Sequence, residues 1–269
     1  MRALVISDIH ANLEALTAVL AAAGTYDQLW NLGDVVGYGG SPNQVIEIVR
    51  PLSSLDVRGN HDRVCCGLAS ALGFNPVARA AALWTQNELS PENHEWLKAM
   101  AQGPILPQEL VPEATSEPDA EAVAEHHPLD VSCVHGSPLN EDQYILNMRD
   151  AWAPLQQMIS DITFFGHTHV QGGFTSNGAE WHEIRPAYRS RNEADSCTVK
   201  LPETSRHLIN PGSVGQPRDY DWRAAFAIYD SDAAEVTYHR VPYDLTASQG
   251  RILMAGLPER LAVRLREGR

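Results

Sequence analysis

Eight polar residues that follow short apolar runs have side chains that can bind a divalent metal ion or transfer a proton. They are Asp8, His10, Asp34, Asn60, His61, His135, His167 and His169. Carboxylate oxygen, amide oxygen and imidazole nitrogen are ligand atoms for divalent metals of hard to borderline character. Because one metal ion takes about four to six ligands, a set of this size indicates two ions together with a catalytic histidine.

The chemistry of such a set is hydrolytic. A carboxylate such as that of Asp34 can bridge two ions through its two oxygens. Two ions at about 3.5–4 Å can share a water molecule, lower its pKa and bind the oxygens of a phosphorus centre. Each motif alone is typical of an ordinary turn, because Gly, Asn and Asp populate turns readily. Five such motifs in one order, most of them closing an apolar run, instead favour a single site.

The elements that position these residues are predicted from apolar runs and helix-start signals. We interpret as strands the runs at residues 4–7, 28–32, 55–58, 131–134 and 162–165. Helices are expected between them, one around residues 152–159 and others with N-caps at Asn12, Ser41, Asn75 and Ser90. Alternating strands and helices predict an α/β protein with parallel strands, whose carboxyl ends share one rim.

The second half of the chain has a different pattern. Strands joined by turns are predicted at residues 181–184, 208–210, 225–229 and 236–240, and a terminal helix at about 247–265. Residues 109–128 and 186–206 are polar or rich in proline and acidic residues, which predicts surface loops or hairpin insertions. No clear linker divides the chain, so residues 1–269 are expected to form a single domain.

Composition limits the partners and the location. The chain has 20 Lys and Arg against 34 Asp and Glu, a net charge of −14 that disfavours nucleic acid and anionic membranes as partners. No run approaches the roughly 18 apolar residues of a membrane span, and Asp8 interrupts the apolar start. The four cysteines lack zinc-site spacing and are expected to be free thiols, which favours a cytoplasmic location.

The motifs also carry a family resemblance. In chain order they are Asp8-Ile9-His10, Gly33-Asp34, Gly59-Asn60-His61-Asp62, Val134-His135-Gly136 and Gly166-His167-Thr168-His169. Together they resemble the five motifs of the calcineurin-like metallophosphoesterases, and residues 210–218 resemble a turn common in small prokaryotic members. The resemblance implies an α/β fold of four layers, an α-β-β-α sandwich in which helices flank two mixed β-sheets.

The resemblance implies a role for each polar residue. One metal ion would be held by Asp8, His10, Asp34 and His169. The second would be held by Asp34, Asn60, His135 and His167. His61 would not be a ligand; it would face the scissile phosphate and stabilise or protonate the leaving oxygen. Mn²⁺ is the metal most expected, and Fe, Zn²⁺ or Ni²⁺ would also suit these ligands.

One departure from the family pattern concerns Gly37 and Tyr38. Protein phosphatases of the superfamily have an Asp at the first position, which orients the catalytic His, and an Arg at the second, which grips phosphate. The chain therefore looks more like the prokaryotic phosphodiesterase or diadenosine-tetraphosphatase-like branch. Arg218 and Tyr38 are candidate substrate contacts. The alternatives are a surface Arg218 paired with Asp219 or Asp221, and a Tyr38 that serves packing alone.

These observations predict a metal-dependent hydrolase. The expected activity is hydrolysis of a small soluble phosphoester, such as a phosphodiester, nucleotide or dinucleoside polyphosphate, by attack of a metal-bridging hydroxide. A phosphoprotein (Ser/Thr) phosphatase is an enzymatic alternative. A catalytically inactive protein-binding module of the same fold is the alternative of another class; it is disfavoured because all ligand positions and His61 hold competent residues. The sequence does not indicate an oligomeric state.

Overall fold

Two β-sheets and their flanking helices make up the computed structural model, which describes residues 1–107 and 129–269. The strands, in chain order, are β1 (Arg2–Ile6), β2 (Gln28–Asn31), β3 (Leu55–Asp56), β4 (Val131–Cys133), β5 (Ile162–Phe164), β6 (Gly172–Ser176), β7 (Trp181–Ile184), β8 (Asp195–Lys200), β9 (Arg206–Asn210), β10 (Ala224–Asp230) and β11 (Glu235–Val241). The α-helices are α1 (Leu13–Ala22), α2 (Pro42–Leu52), α3 (Asn60–Cys65), α4 (Pro76–Glu88), α5 (Pro91–Ala99), α6 (Met148–Gln157), α7 (Leu245–Met254) and α8 (Glu259–Glu267).

Both sheets are mixed. The first has six strands in the order β3-β2-β1-β10-β11-β8, and the second has five in the order β4-β5-β9-β6-β7. Within the first sheet β3, β2 and β1 are parallel, and the remaining strands join antiparallel. Within the second sheet β4, β5 and β9 are parallel, and β6 pairs antiparallel with both of its neighbours, β9 and β7. The parallel strands are those that the polar motifs follow.

Strand β1 shows how the sequence builds the layers, because successive side chains of a strand point to opposite faces. Ala3 and Val5 belong to the buried cluster between the sheets, where the ring centroids of Trp30 and Phe164 lie 5.7 Å apart. The intervening Leu4 and Ile6 pack on the outer face, in the cluster that contains apolar residues of α1 and α2. Apolar residues of α6 pack with residues of β6 and β9 in a cluster on the second sheet. The predicted α-β-β-α sandwich is confirmed.

Most of the predicted helix starts are confirmed. The side chains of Asn12, Asn75 and Ser90 accept hydrogen bonds from amides in the first turns of α1, α4 and α5. Ser41 also precedes its helix, but its side chain makes no capping bond. Helix α6 begins at Met148, before the predicted residue 152, with Asn147 as its cap.

Three features of the second half differ from the prediction. Residues 186–206 include β8, an edge strand paired with β11, and residues 172–176 form the unpredicted β6. Side chains of β8 alternate between partly buried and exposed, so its sequence has no apolar run that would mark it. The helix predicted at about 247–265 is two helices, broken where Gly256 adopts a φ of +69° and Pro258 precedes α8. The predicted insertion at residues 109–128 lies outside the described residues.

The cysteines and the membrane prediction can be compared with the described residues. All four cysteines are free thiols there, as expected. Among the helices of residues 1–107 and 129–269, none is long and apolar enough to cross a membrane.

Candidate metal centre

The predicted ligands meet where the carboxyl ends of the two sheets come together. Asp8 and His10 follow β1, Asp34 follows β2, and Asn60 begins the helix after β3; His135 follows β4, and His167 and His169 follow β5. The possible ligand atoms form two groups, and within each group all of them lie within 4.8 Å of one another. The first group is Asp8, His10, Asp34 and His169, and the second is Asp34, His135 and His167. Both groups contain Asp34, as a bridging carboxylate requires.

Asn60 completes the second group in space. Its side-chain oxygen lies 3.2 Å from Nε2 of His135. The amide oxygen is therefore beside the same imidazole that faces Asp34, whose Oδ2 is 3.5 Å from that Nε2. All predicted ligand positions are thus brought together, from both sheets.

Unusual backbone conformations turn these side chains inward. Five of the ligand residues have positive φ angles: Asp8 (53°), His10 (49°), Asp34 (55°), His167 (66°) and His169 (59°). Such conformations cost about 1–3 kcal/mol each in residues other than glycine and cluster at functional sites. The folded chain tolerates this cost at the ends of its strands, where the site lies.

Close contacts at these strand ends also require small residues. A Cβ at Gly166 would lie 1.9 Å from the Ser7 hydroxyl oxygen and 2.9 Å from a carboxylate oxygen of Asp8. The residue before His167 must therefore be glycine for the motif after β5 to approach the motif after β1.

Hydrogen bonds to main-chain carbonyls orient three of the histidines. A carbonyl only accepts, so the ring nitrogen beside it carries a hydrogen; in a neutral ring the other nitrogen then has a lone pair. The Nδ1 atoms involved are those of His10 (3.0 Å from the Val36 oxygen), His135 (2.8 Å from the Leu32 oxygen) and His169 (2.6 Å from the Gln216 oxygen). Each therefore presents Nε2 to the centre.

His167 has the opposite orientation. Its Nε2 lies 3.2 Å from the carbonyl oxygen of Asp142, so that nitrogen is the donor and Nδ1 faces the centre. Nδ1 in turn lies 3.2 Å from Nε2 of His135. The carbonyl of residue 142 comes from a loop in which the sequence shows no motif.

The arrangement of acceptors fits bound cations. The Nε2 atoms of His10 and His169 are 3.2 Å apart. In these tautomers neither Nε2 carries a hydrogen, so the two nitrogens cannot hydrogen-bond to each other. Oδ1 of Asp8 is buried, has no hydrogen-bond partner within the described part of the chain, and lies 3.3 Å from Nε2 of His169. Buried acceptors that face one another without donors are costly unless a cation is shared between them.

Burial controls the protonation of the centre. It lowers the pKa of His10 and His169 well below the usual range and that of His167 to about 3, so these rings are neutral, as metal ligands must be. Burial also lowers the pKa of His135, but the charges of Asp34 and Asp8 outweigh it and raise the value to about 10. Metal binding must therefore displace a proton from His135.

The two carboxylates respond differently. Burial raises the pKa of Asp8 to about 7. Burial acts in the same direction on Asp34, but His135 and His61 hold the pKa of Asp34 well below its usual range. Asp34 is thus ionised at neutral pH, and Oδ1 also accepts the main-chain N–H of His61 at 2.8 Å.

His61 lies beside the two groups and belongs to neither. Its side chain is almost fully buried, with ring centroids of Tyr38 and Phe74 at 4.4 Å and 4.5 Å. Burial lowers its pKa to about 4, and its Nδ1 has no hydrogen-bond partner among the described residues. A Cβ at Gly37 would lie 2.5 Å from that Nδ1. Aromatic packing, with glycine close against the ring, therefore orients His61 where phosphatases use an aspartate.

Arg218 borders the same centre. Its Nη2 donates to Oε1 of Gln216 at 3.1 Å, and its guanidinium carbon is 5.8 Å from the Tyr38 ring centroid. Its Nε is buried and has no hydrogen-bond partner in residues 1–107 and 129–269. The two carboxylates considered as alternative partners are held by other arginines: Asp219 by Arg240 and Asp221 by Arg223. Among residues 1–107 and 129–269, Arg218 forms an ion pair with neither carboxylate, and its contact with substrate stays a prediction.

Two aromatic residues near the site were not predicted from the sequence. The ring of Tyr144 stacks on His167 at 4.0 Å, and that of Phe74 packs on His61. Neither belongs to a motif, and each is far in sequence from its partner, so local pattern contains no signal for them.

A sandwich of two mixed sheets, with buried aspartates and histidines gathered at the strand ends, defines a metal-dependent hydrolase. Residues 1–234 match the calcineurin-like phosphoesterase superfamily domain, and the chain belongs to that family. Family membership implies divalent metal ions, and the ligand groups described above are suited to them.

The chain is similar along its whole length to other proteins. It is 32% identical over 268 residues to an uncharacterized protein of Methanocaldococcus jannaschii. The aligned residues cover 98% of this chain and 97% of that protein. It is 38% identical to a metallophosphoesterase from Sphaerobacter thermophilus, with a TM-score of 0.76 over 100% of this chain and 99% of that chain. A hypothetical protein from Pyrococcus horikoshii shares the fold, with 20% identity and a TM-score of 0.73 over 100% and 98% of the two chains.

Proposed function

We propose that the protein hydrolyses a small soluble phosphoester with two divalent metal ions, of which Mn²⁺ is the first choice. The observation that supports this is the pair of ligand groups that share Asp34, with His61 directly beside them. The first ion would be held by Asp8, His10, Asp34 and His169, and the second by Asp34, Asn60, His135 and His167.

The residues around the ions have separate tasks. When bound, divalent ions lower the pKa of water and neutralise charge on the oxygens of phosphorus. His61 is held by aromatic rings and lies outside both ligand groups. Burial lowers its pKa to about 4 in the free protein, and the negative charge of bound phosphate would raise that pKa. The ring then hydrogen-bonds or protonates the leaving oxygen, because an alkoxide leaves poorly without a proton. Arg218 neutralises a non-bridging phosphate oxygen with its Nε–H, which has no hydrogen-bond partner among the residues that the structure describes.

A small-molecule substrate is favoured over a phosphoprotein. The aspartate and arginine of the protein phosphatases are replaced by Gly37 and Tyr38, both of which pack against His61. The phosphate-gripping arginine of that class is therefore absent from its usual position, and Arg218 approaches from a different segment.

The test is hydrolysis by chelator-treated protein with Mn²⁺ added back. The substrates are bis-p-nitrophenyl phosphate, p-nitrophenyl phosphate, diadenosine tetraphosphate and a phosphoserine peptide. We expect metal-dependent turnover of at least one of the first three and little of the peptide. Preferred hydrolysis of the peptide would establish the phosphoprotein phosphatase instead. Two bound metals without turnover of any substrate would contradict the proposal for these phosphoesters.

A further inference from the structure

Two arginines from distant parts of the chain approach the same aromatic ring. The guanidinium carbon of Arg218 and that of Arg264, on α8, each lie 5.8 Å from the centroid of Tyr38. That ring contacts His61 at 4.4 Å and His10 at 4.6 Å between centroids. Two cations therefore stand next to the metal centre in a chain whose net charge is −14.

Among the described residues, neither arginine forms an ion pair at contact distance with an acidic side chain. Arg218 donates to the neutral side chain of Gln216, and Nε of Arg264 donates to the main-chain oxygen of Arg269 at 2.7 Å. Burial and the nearby charge of Arg218 lower the pKa of Arg264, as expected for two cations held close together.

Helix α8 is fixed in this position at two points. Its buried Leu261 and Leu265 belong to the same apolar cluster as Tyr38. At its end, Gly268 has a φ of +62°, and its carbonyl accepts the main-chain N–H of Tyr220 at 2.9 Å. The end of α8 is thus tied to the segment directly after Arg218, and the relative position of the two arginines is set by packing.

The two arginines differ in their distance from the centre. Arg218 interacts electrostatically with Asp8, His10 and His61. Arg264 interacts with Tyr38 and Arg218 and is therefore farther from the metal ligands than Arg218 is. Residue 264 also lies beyond residues 1–234, the part of the chain that matches the family domain.

We infer that Arg218 and Arg264 form an anion subsite that binds a second phosphate, next to the scissile phosphate, of a pyrophosphate-linked substrate such as a nucleoside or dinucleoside polyphosphate. The inference rests on the proposed function, because it places the scissile phosphate at the metal centre. Guanidinium groups bind phosphate oxygens through paired N–H donors, and two of them suit a group with more than one negative charge. Arg264 therefore determines specificity and takes no part in bond cleavage.

The kinetic test compares Arg264→Gln with Arg266→Gln, an equal charge change at an exposed position of the same helix. For diadenosine tetraphosphate, Arg264→Gln should raise KM at least about tenfold, and Arg264→Lys should recover part of the loss. For p-nitrophenyl phosphate, which has one phosphate, KM should change less than about twofold.

Two outcomes would contradict the inference. Equal losses on both substrates would show that Arg264 serves the scissile phosphate or the fold. Equal losses in both variants would show a general charge effect. Either result overturns the inference.

A binding measurement keeps this inference separate from the proposed function. The Mn²⁺-loaded protein is titrated with AMP and with α,β-methylene-ADP, whose P–C–P link resists hydrolysis. The wild type and Arg266→Gln should bind the diphosphate analogue more tightly, and Arg264→Gln should lose that preference. A protein that shows this pattern but hydrolyses nothing would retain the subsite and contradict the proposed function. Absence of a preference in the wild type would overturn the subsite whatever the activity.

Discussion

The ring nitrogen that each ligand histidine offers is decided by a main-chain carbonyl on its other side. His10, His135 and His169 present Nε2 because their Nδ1 atoms face carbonyls, whereas His167 presents Nδ1. The partner atoms belong to the backbone, so a side-chain substitution does not remove them. For His10, His167 and His169, whose rings are neutral, the tautomers are set before any ion binds, which reduces the reorganisation that binding requires.

The first residue-scale prediction separates catalysis from metal binding at His61. Since this side chain belongs to neither ligand group, His61→Ala should leave the metal content unchanged and lower kcat by about 10²–10⁴. Metal analysis of the purified variant, together with steady-state kinetics, checks both parts. A loss of metal would make His61 a ligand and would refute the assigned role.

The second residue-scale prediction concerns Asn60. Its oxygen lies beside His135, so Asn60→Ala should lower the occupancy of the second metal and the activity together. Asn75→Ala is the matched control, because it removes an asparagine from another helix start, where the side chain only caps α4. Full activity in Asn60→Ala with both metals bound would show that Asn60 is not a ligand.

At the scale of elements, the turn after β2 and the start of α3 are joined through Asp62. Its side chain accepts the main-chain N–H of Val36 at 3.1 Å and that of Gly59 at 3.0 Å. Asp62 therefore caps the turn around His61. The turn and the helix start are therefore one unit that holds Asp34, Gly37 and His61 in register.

Gly37 gives this unit a testable weak point. It has a φ of +89°, and a Cβ there would meet the His61 imidazole at 2.5 Å, whereas Gly178, also at +89°, has no atom within 4 Å of such a Cβ. Gly37→Ala and Gly178→Ala should therefore share a backbone cost of about 1 kcal/mol, and only Gly37→Ala should displace His61 and lower kcat, by about tenfold or more. Stability from chemical denaturation and kcat from kinetics separate the two effects. Similar kcat values in both variants would contradict the proposed packing of His61.

For the whole molecule, the centre joins the two sheets. Asp8 from the first sheet accepts the main-chain N–H of His167 from the second at 3.0 Å, and the turn that begins at Asn210 closes behind both. Apolar residues of helices α7 and α8 pack against Tyr38, which supports the proposal that residues 1–269 form one domain. Metal ions bound at this junction would therefore stabilise the contact between the sheets.

Metal removal should consequently lower thermal stability. At ion concentrations about a hundred times the dissociation constant, binding to the folded state contributes about 2.7 kcal/mol, or roughly 5–10 °C in Tm for a chain of this size. Thermal unfolding with Mn²⁺ and with a chelator measures the difference. Asp34→Asn, which changes the ligand common to both groups, should reduce this dependence on metal; an unchanged Tm in the wild type would argue against ions at the junction of the sheets.

Local sequence predicted the parallel strands, most of the helix starts and the residues that gather at the strand ends. These features depend on near neighbours: side-chain alternation in β1, the capping asparagines, and polar residues directly after apolar runs. The break before α8 was missed although its signal is local, at Gly256 and Pro258. Only the tertiary structure showed β8 as an edge strand, Phe74 against His61, and Arg264 beside Tyr38. Contacts between residues so far apart depend on how layers pack, and periodicity or propensity within one segment contains no information about the segment on the other side.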